Sequence, residues 1–296
     1  MALRDLFGRA SRPVPAASSP AQKPVDPDLG RALDELARLS ADRPELAESA
    51  TTLARVLAAV FDPTLAQDVP PHADSDLILA AWNAGVPAFR AGESGLAWDE
   101  NHLKHRGMAL CSALGDRGQA RAMEAAIQRG HIHLGRWARA ALSDDAGVDL
   151  GSTEIPPDFA QSFLRLVLMP DLARRSAWLA TLRPEGAWNQ GNCPNCGEPP
   201  VLAESRGLDQ RRYLRCGLCA ADWSSDRLRC PFCAEADHRQ LGYRFVEGEE
   251  HRYRLAHCGA CGGWLPVVST LAAISPPGLL VAELATAHLT ALMEAS

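Results

Sequence analysis

Eight of the nine cysteines in this 296-residue chain lie between Cys193 and Cys261, as four Cys-x-x-Cys pairs: Cys193/Cys196, Cys216/Cys219, Cys230/Cys233 and Cys258/Cys261. Two residues between cysteines let one tight turn present both sulfurs to the same ion, with backbone N–H groups left pointing at them. Gly or Pro in the turn eases that geometry. The turns read Cys193-Pro-Asn-Cys196-Gly, Cys216-Gly-Leu-Cys219-Ala, Cys230-Pro-Phe-Cys233-Ala and Cys258-Gly-Ala-Cys261-Gly. The chemistry they offer is tetrahedral coordination of a metal ion by four thiolates, a tetracysteine site. A thioredoxin-like dithiol would need a strand-then-helix context and leaves four successive motifs unexplained. Disulfides at this density belong to small secreted scaffolds, which come with secretory signals.

The separations favour a partnering. Nineteen residues lie between Cys196 and Cys216 and twenty-four between Cys233 and Cys258, each enough for a hairpin that returns the next turn to the first. Only ten separate Cys219 from Cys230. The economical arrangement is sequential, one site from the first two turns and one from the last two; an interleaved pairing stays open. Two metal ions per chain are expected. A tetrahedral all-sulfur site suits zinc or iron, and affinity alone favours zinc over ferrous iron. Such binding contributes on the order of 10 kcal/mol to folding.

Other reactive side chains have plainer readings. Cys111 sits among Leu103, Met108, Leu110 and Leu114 and reads as a buried structural thiol. His102 and His105 could share a helix face, but without a third ligand a solvated or capping role is expected. His131 and His133 read as structural, and His257 as a residue that orients the loop of Cys258. Trp223 and Trp264, just beyond the second and fourth turns, are expected to cover the metal sites. The sequence holds no Gly-rich phosphate loop and no Gly-x-Ser-x-Gly elbow. No catalytic residue is assigned, and the chain reads as a non-enzyme.

The elements that must carry these turns follow from periodicity. Residues 1–25, rich in Pro, Ser and Ala, read as a flexible tail. From Pro27 the apolar spacing is helical: Leu29, Leu33, Leu36 and Leu39 share a face, with Asp26 or Asp28 placed to cap it. Further helices are expected from near Pro44, over Asp74 to Ala84, from Trp98 to about Leu142 with breaks near Gly115–Gly118 and Gly130–Gly135, and after Pro156-Pro157. Another is expected to open at Pro170-Asp171. Short β-like stretches such as Arg212-Tyr213-Leu214 and Tyr243-Arg244-Phe245-Val246 lie among the cysteines. The expected class is α+β: a helical domain over 26–187, tetracysteine modules of rubredoxin or zinc-ribbon type over 188–226 and 227–271, and a C-terminal helix within 272–296.

The net charge of −6 argues against wrapping nucleic acid. Residues 189–271 hold ten Arg or Lys against ten Asp or Glu, so the module is neutral and a nucleic-acid-binding zinc ribbon is only an alternative. No run approaches the roughly 18 apolar residues of a membrane span. The start of the chain has neither the apolar region of a secretory signal nor a paired-arginine export signal, so the expected location is the cytoplasm.

The stretch from Trp188 to Val201, with Arg215-Cys-Gly-Leu-Cys-Ala-Ala-Asp-Trp223, Arg229-Cys-Pro-Phe-Cys233 and His257-Cys-Gly-Ala-Cys-Gly262, resembles the formate dehydrogenase accessory protein FdhE family. Order, spacing and flanking residues agree over about residues 188 to 266. The resemblance implies a cytoplasmic assembly factor that binds the catalytic subunit of respiratory formate dehydrogenase before its export. It also implies rubredoxin-like sites, which shifts the favoured metal to iron, with the eight paired cysteines as ligands. A redox-sensing or electron-transfer iron protein is the alternative that tetrathiolate chemistry allows.

Overall fold

Aspartates start the early helices. The Asp26 carboxylate accepts from the Asp28 N–H ahead of α1 (Pro27–Asp42). After a 3-10 turn at Pro44–Leu46 and α2 (Ala47–Val60), Asp74 does the same for α3 (Ser75–Asn83) and Asp99 for α4 (Glu100–Leu114). Each satisfies a donor that a helix start leaves open. The computed structural model describes residues 26–66, 74–91, 98–115, 118–142 and 155–294; the tail expected over 1–25 lies outside them.

The broken helical stretch from Trp98 resolves into α4, α5 (Gly118–Gln128) and α6 (Leu134–Leu142). The start of α6 is capped from another helix: the Glu100 carboxylate accepts from Leu134 and Gly135 N–H at 2.8 and 2.7 Å. One expectation is corrected. Pro170 does not open a new helix; it lies inside a continuous α7 (Pro157–Leu182). A proline deletes one N–H and loosens one turn. Here Arg106 on α4 donates to the Val167 carbonyl of that turn at 3.0 Å, and burial holds the helix together across it.

The strands are β1 (Pro200–Arg206), β2 (Arg211–Cys216), β3 (Asp222–Ser224), β4 (Leu241–Arg244), β5 (Tyr253–Cys258) and β6 (Trp264–Thr270). They form one sheet in the order β3-β2-β1-β6-β5-β4. The same unit occurs twice: a cysteine turn, a hairpin, a second cysteine turn, a third strand. Within each unit the pairing is antiparallel. The units join where β1 runs parallel to β6, Ala203 opposite Val267 through Arg206 opposite Thr270. The two tetracysteine modules are thus halves of a single sheet.

Successive strand residues point to opposite faces, and both faces are apolar. Ala203, Val267 and Ala256 pack with the core of α4 to α7, while their neighbours Leu202, Val268 and Leu255 pack with α1, α2 and the C-terminal helix α8 (Pro276–Thr286). A sheet covered on both sides loses the polar alternation of an exposed one. No described helix is long and apolar enough to cross a membrane.

Three distant segments meet where α1 ends. Arg43 and His288 both bind the Glu249 carboxylate, His288 Nε2 at 2.8 Å, and Arg43 also donates to His288 Nδ1 at 2.8 Å. Burial alone would push the Glu249 carboxyl up, but the hydrogen bonds from His288 and Arg43 outweigh it and hold it below the usual glutamate range. A depressed carboxyl stabilises the fold fully above its unfolded pKa of about 4.3, and the effect disappears as pH falls through the folded value. Acid titration of thermal stability should therefore show a steeper loss below that pH in the wild type than in Glu249→Gln. Parallel curves would refute the assignment.

Candidate metal centres

The four cysteine turns are the same object built four times. In each, the N–H of the first cysteine donates to the carbonyl five residues on, and the residue four positions on returns an N–H to the cysteine carbonyl. For the first turn these bonds are Cys193 N–H to Glu198 O at 2.8 Å and Gly197 N–H to Cys193 O at 2.9 Å. The turns at Cys216, Cys230 and Cys258 repeat both, at 2.8 to 3.1 Å. Closing the loop drives the residue after the second cysteine to positive φ: Gly197 at 85°, Ala220 at 54°, Ala234 at 63° and Gly262 at 72°. Glycine takes this conformation freely, whereas an L-residue loses about 1–2 kcal/mol in it. Ala234→Gly should therefore raise the urea midpoint by the equivalent of about 0.5–1 kcal/mol, the relieved strain less the added chain entropy of glycine. A destabilised variant would show that the alanine methyl contributes packing instead.

Cys193, Cys196, Cys216 and Cys219 come together as one group, Cys230, Cys233, Cys258 and Cys261 as the other, with sulfurs within 4.8 Å of one another in each. Cys193 Sγ lies 3.5 Å from Cys219 Sγ and Cys196 Sγ 3.3 Å from Cys216 Sγ; the second group has 3.7 Å for Cys230–Cys261 and for Cys233–Cys258. A tetrahedron with metal–sulfur bonds of about 2.3 Å has edges of roughly 3.8 Å, whereas a disulfide needs about 2.05 Å. The clusters thus have the size of a tetrathiolate cage. Backbone donors face the sulfurs as well: Asn195 N–H to Cys193, Cys219 N–H to Cys216, Phe232 N–H to Cys230 and Gly263 N–H to Cys261, at 3.4 to 3.5 Å. Either zinc or iron fits such a donor set.

The two sites differ in depth. All four sulfur residues of the first are fully buried, in the core shared with α4 to α7. Burial pushes the Cys193 and Cys196 thiols well up, so a divalent ion is what allows four sulfurs to ionise together there. The helical half grips this turn through its backbone. Trp82 Nε1–H and Ala88 N–H both donate to the Pro194 carbonyl at 2.8 Å, and Phe89 N–H donates to that of Asn195 at 2.7 Å. Trp188 and Trp223 anchor the approach, on the Asn192 and Gln190 carbonyls. In the second site Cys230 and Cys258 are buried but Cys233 and Cys261 are exposed. The sites abut at Gly191, where an added Cβ would lie 1.6 Å from the Pro231 carbonyl oxygen.

The remaining candidates fall as follows. Trp223 is buried with the first site, while Trp264 is 39% exposed beside the second. His257 packs on β4, its ring occupying the space a side chain at Gly242 would take. Cys111 is buried, its thiol pushed up to about 12 by burial first and by Glu124 second. His102 is neither solvated nor a cap. It is half-buried, with Nε2 3.3 Å from Asp171 Oδ2 and 2.9 Å from Arg106 Nη2. That cluster joins α4 to α7, and no local signal around His102 announces a partner 69 positions away.

These features define a protein with two tetrathiolate turns-and-hairpin units fused in one sheet between layers of helix. The family described as "FdhE, central domain" matches residues 192–227, the first of the two units. Protein FdhE homologs from Stutzerimonas stutzeri (strain A1501) and Edwardsiella ictaluri (strain 93-146) are 36% identical over 109 and 78 residues, which is 36% and 26% of this chain and 34% and 25% of theirs. Protein FdhE from Salmonella choleraesuis (strain SC-B67) is 35% identical over 81 residues, 26% of this chain and 25% of that one. The chain thus aligns with about a quarter to a third of the length of the curated relatives it matches. The crystal structure of the FdhE protein from Pseudomonas aeruginosa shares the fold, with a TM-score of 0.59 and 23% identity over 92% of both chains. The likeness to the FdhE family is thus carried in sequence by the central domain, residues 192–227, and beyond it by the shared fold.

Proposed function

We propose that this protein is a cytoplasmic accessory factor. It binds the catalytic subunit of respiratory formate dehydrogenase before export and is required for that enzyme's activity, without being a catalyst itself. The observation that carries the reading is the pair of tetracysteine sites built into an FdhE-type fold. In this reading all eight paired cysteines are metal ligands. The buried site is structural, and the family resemblance favours iron over zinc. Co-purification of the catalytic subunit with the tagged full-length chain tests the binding. Normal formate-dependent dye reduction in a strain lacking the gene would defeat the reading.

A second reading, redox sensing or electron transfer, draws on one observation: the exposure of Cys233 and Cys261 opens the second site to solvent. An exposed tetrathiolate iron centre can change charge by one electron. Elemental analysis and the absorption spectrum of anaerobically purified protein decide between them. Zinc in both sites and no spectral response to oxidant would eliminate the redox reading.

A further inference from the structure

Buried arginines in this fold commonly end on a carboxylate: Arg106 on Asp171, Arg215 on Glu204, and the half-buried Arg165 on Glu283. The open cleft of about 990 Å³ between the segment 186–200 and the Cys230 turn is different. Arg212, Arg227 and Arg229 all line it, and none of the three forms an ion pair among the described residues. Arg212 is buried at 6% exposure. It spends one nitrogen on Ser225 Oγ and on the Asp226 and Arg229 carbonyls, and its Nε has no partner. It thereby fixes the loop that carries the other two, which are exposed. Arg227 makes one contact, to the Gln210 carbonyl at 3.4 Å.

A guanidinium fork left without a carboxylate in a protein of net charge −6 points to one supplied from outside. The rest of the wall says what kind. Asp209 and Asp226 are interleaved with the arginines, the latter accepting from Leu228 N–H at 2.9 Å. Their charge would repel the dense charge of a polyphosphate. Carboxylates spaced along a chain can meet the arginines individually. Phe232, 42% exposed, offers apolar contact between them, over a floor that includes the buried Trp188.

We propose that this cleft binds an acidic, extended segment of the client polypeptide, with Arg227 and Arg229 as the pairing forks. The inference rests on the client-binding reading above, and its test separates the two. Full-length, metal-loaded wild type and Arg227→Glu/Arg229→Glu are compared in co-purification of the formate dehydrogenase catalytic subunit at low and high salt. A photo-crosslinking residue at position 227 maps the contact by mass spectrometry. The expected result is capture weakened at least about tenfold in the double variant and by added salt, with both metal ions retained and crosslinks in an Asp- or Glu-rich client segment. The milder Arg227→Gln/Arg229→Gln pair should show the same loss in smaller measure, which guards against misfolding of the reversal. Undiminished capture by both variants overturns the proposal. So does loss of metal in both pairs, which would make the arginines counter-charges of the second site. Crosslinks confined to segments without carboxylates would do the same. If the wild type captures no client, the functional reading fails first and this inference falls with it.

Discussion

Replacement of Cys216 by serine should unfold far more than the turn that contains it. Cys216 is fully buried beside Cys196, and the turn built on Cys193 and Cys196 is the one that Trp82, Ala88 and Phe89 hold by its carbonyls. Loss of one thiolate leaves three sulfurs in a site whose burial disfavours ionisation, so the ion is lost with it. The expected destabilisation is on the order of 5 kcal/mol or more, comparable with the whole stability of an ordinary domain. Trp82, Trp188 and Trp223 all bond to backbone within residues 190–194, so their emission should shift to the red as the first site fails. Cys261→Ser is the matched control. Cys261 is exposed in the second site, so the variant should lose one ion per chain and keep the emission of the buried Trp82, Trp188 and Trp223, with any change confined to the exposed Trp264. Equal thermal and spectral losses in the two variants would show that the sites do not differ as their burial implies.

What the chain makes legible is what depends on near neighbours. Gaps of nineteen and twenty-four residues suit hairpins and favour the sequential grouping of the sulfurs over the interleaved one, and the sulfurs are grouped sequentially. Helix starts at Asp26 and Asp74 follow from a carboxylate placed just ahead of an apolar period. The fusion of the two modules has no such signature. The parallel pairing of β1 with β6 joins residues about 64 apart, and its specificity lies in two apolar faces whose helical covers come from elsewhere in the chain. Nor could the depth of the sites be read. Cys193-Pro-Asn-Cys196 and Cys230-Pro-Phe-Cys233 are nearly the same motif, yet one is sealed by α3 and the turn after it while the other faces a cleft. Pro170 misleads for a related reason. A proline reads as a boundary because it removes a backbone donor, and here the helix is held across it by burial and by Arg106, 64 positions earlier, on the adjacent Val167 carbonyl.

That arginine carries the other large expected effect. Asp171, wholly buried, receives Arg106 in a two-pronged pair, Nη1 at 2.6 Å from Oδ2 and Nη2 at 3.1 Å from Oδ1, with Arg174 on the same carboxylate. Arg106, 1% exposed, also donates to the carbonyls of Val167 and Leu65. Asp171→Asn keeps the shape but leaves a guanidinium charge in the core between α4 and α7. Removal of one partner from a buried pair costs about 3–5 kcal/mol. Arg106→Met should cost a similar amount, because it strands the Asp171 charge and withdraws a donor from the Val167 carbonyl beside the proline. The double replacement Arg106→Met/Asp171→Asn removes both buried charges, leaving the two carbonyls without that donor and His102 and the partly exposed Arg174 without a carboxylate. Urea unfolding of all four proteins should therefore give a double-variant loss well below the sum of the single losses. Strict additivity, or a loss under about 1 kcal/mol in Asp171→Asn, would mean that the pair is not coupled. The hold of α4 on the proline turn would then have to lie in apolar packing instead.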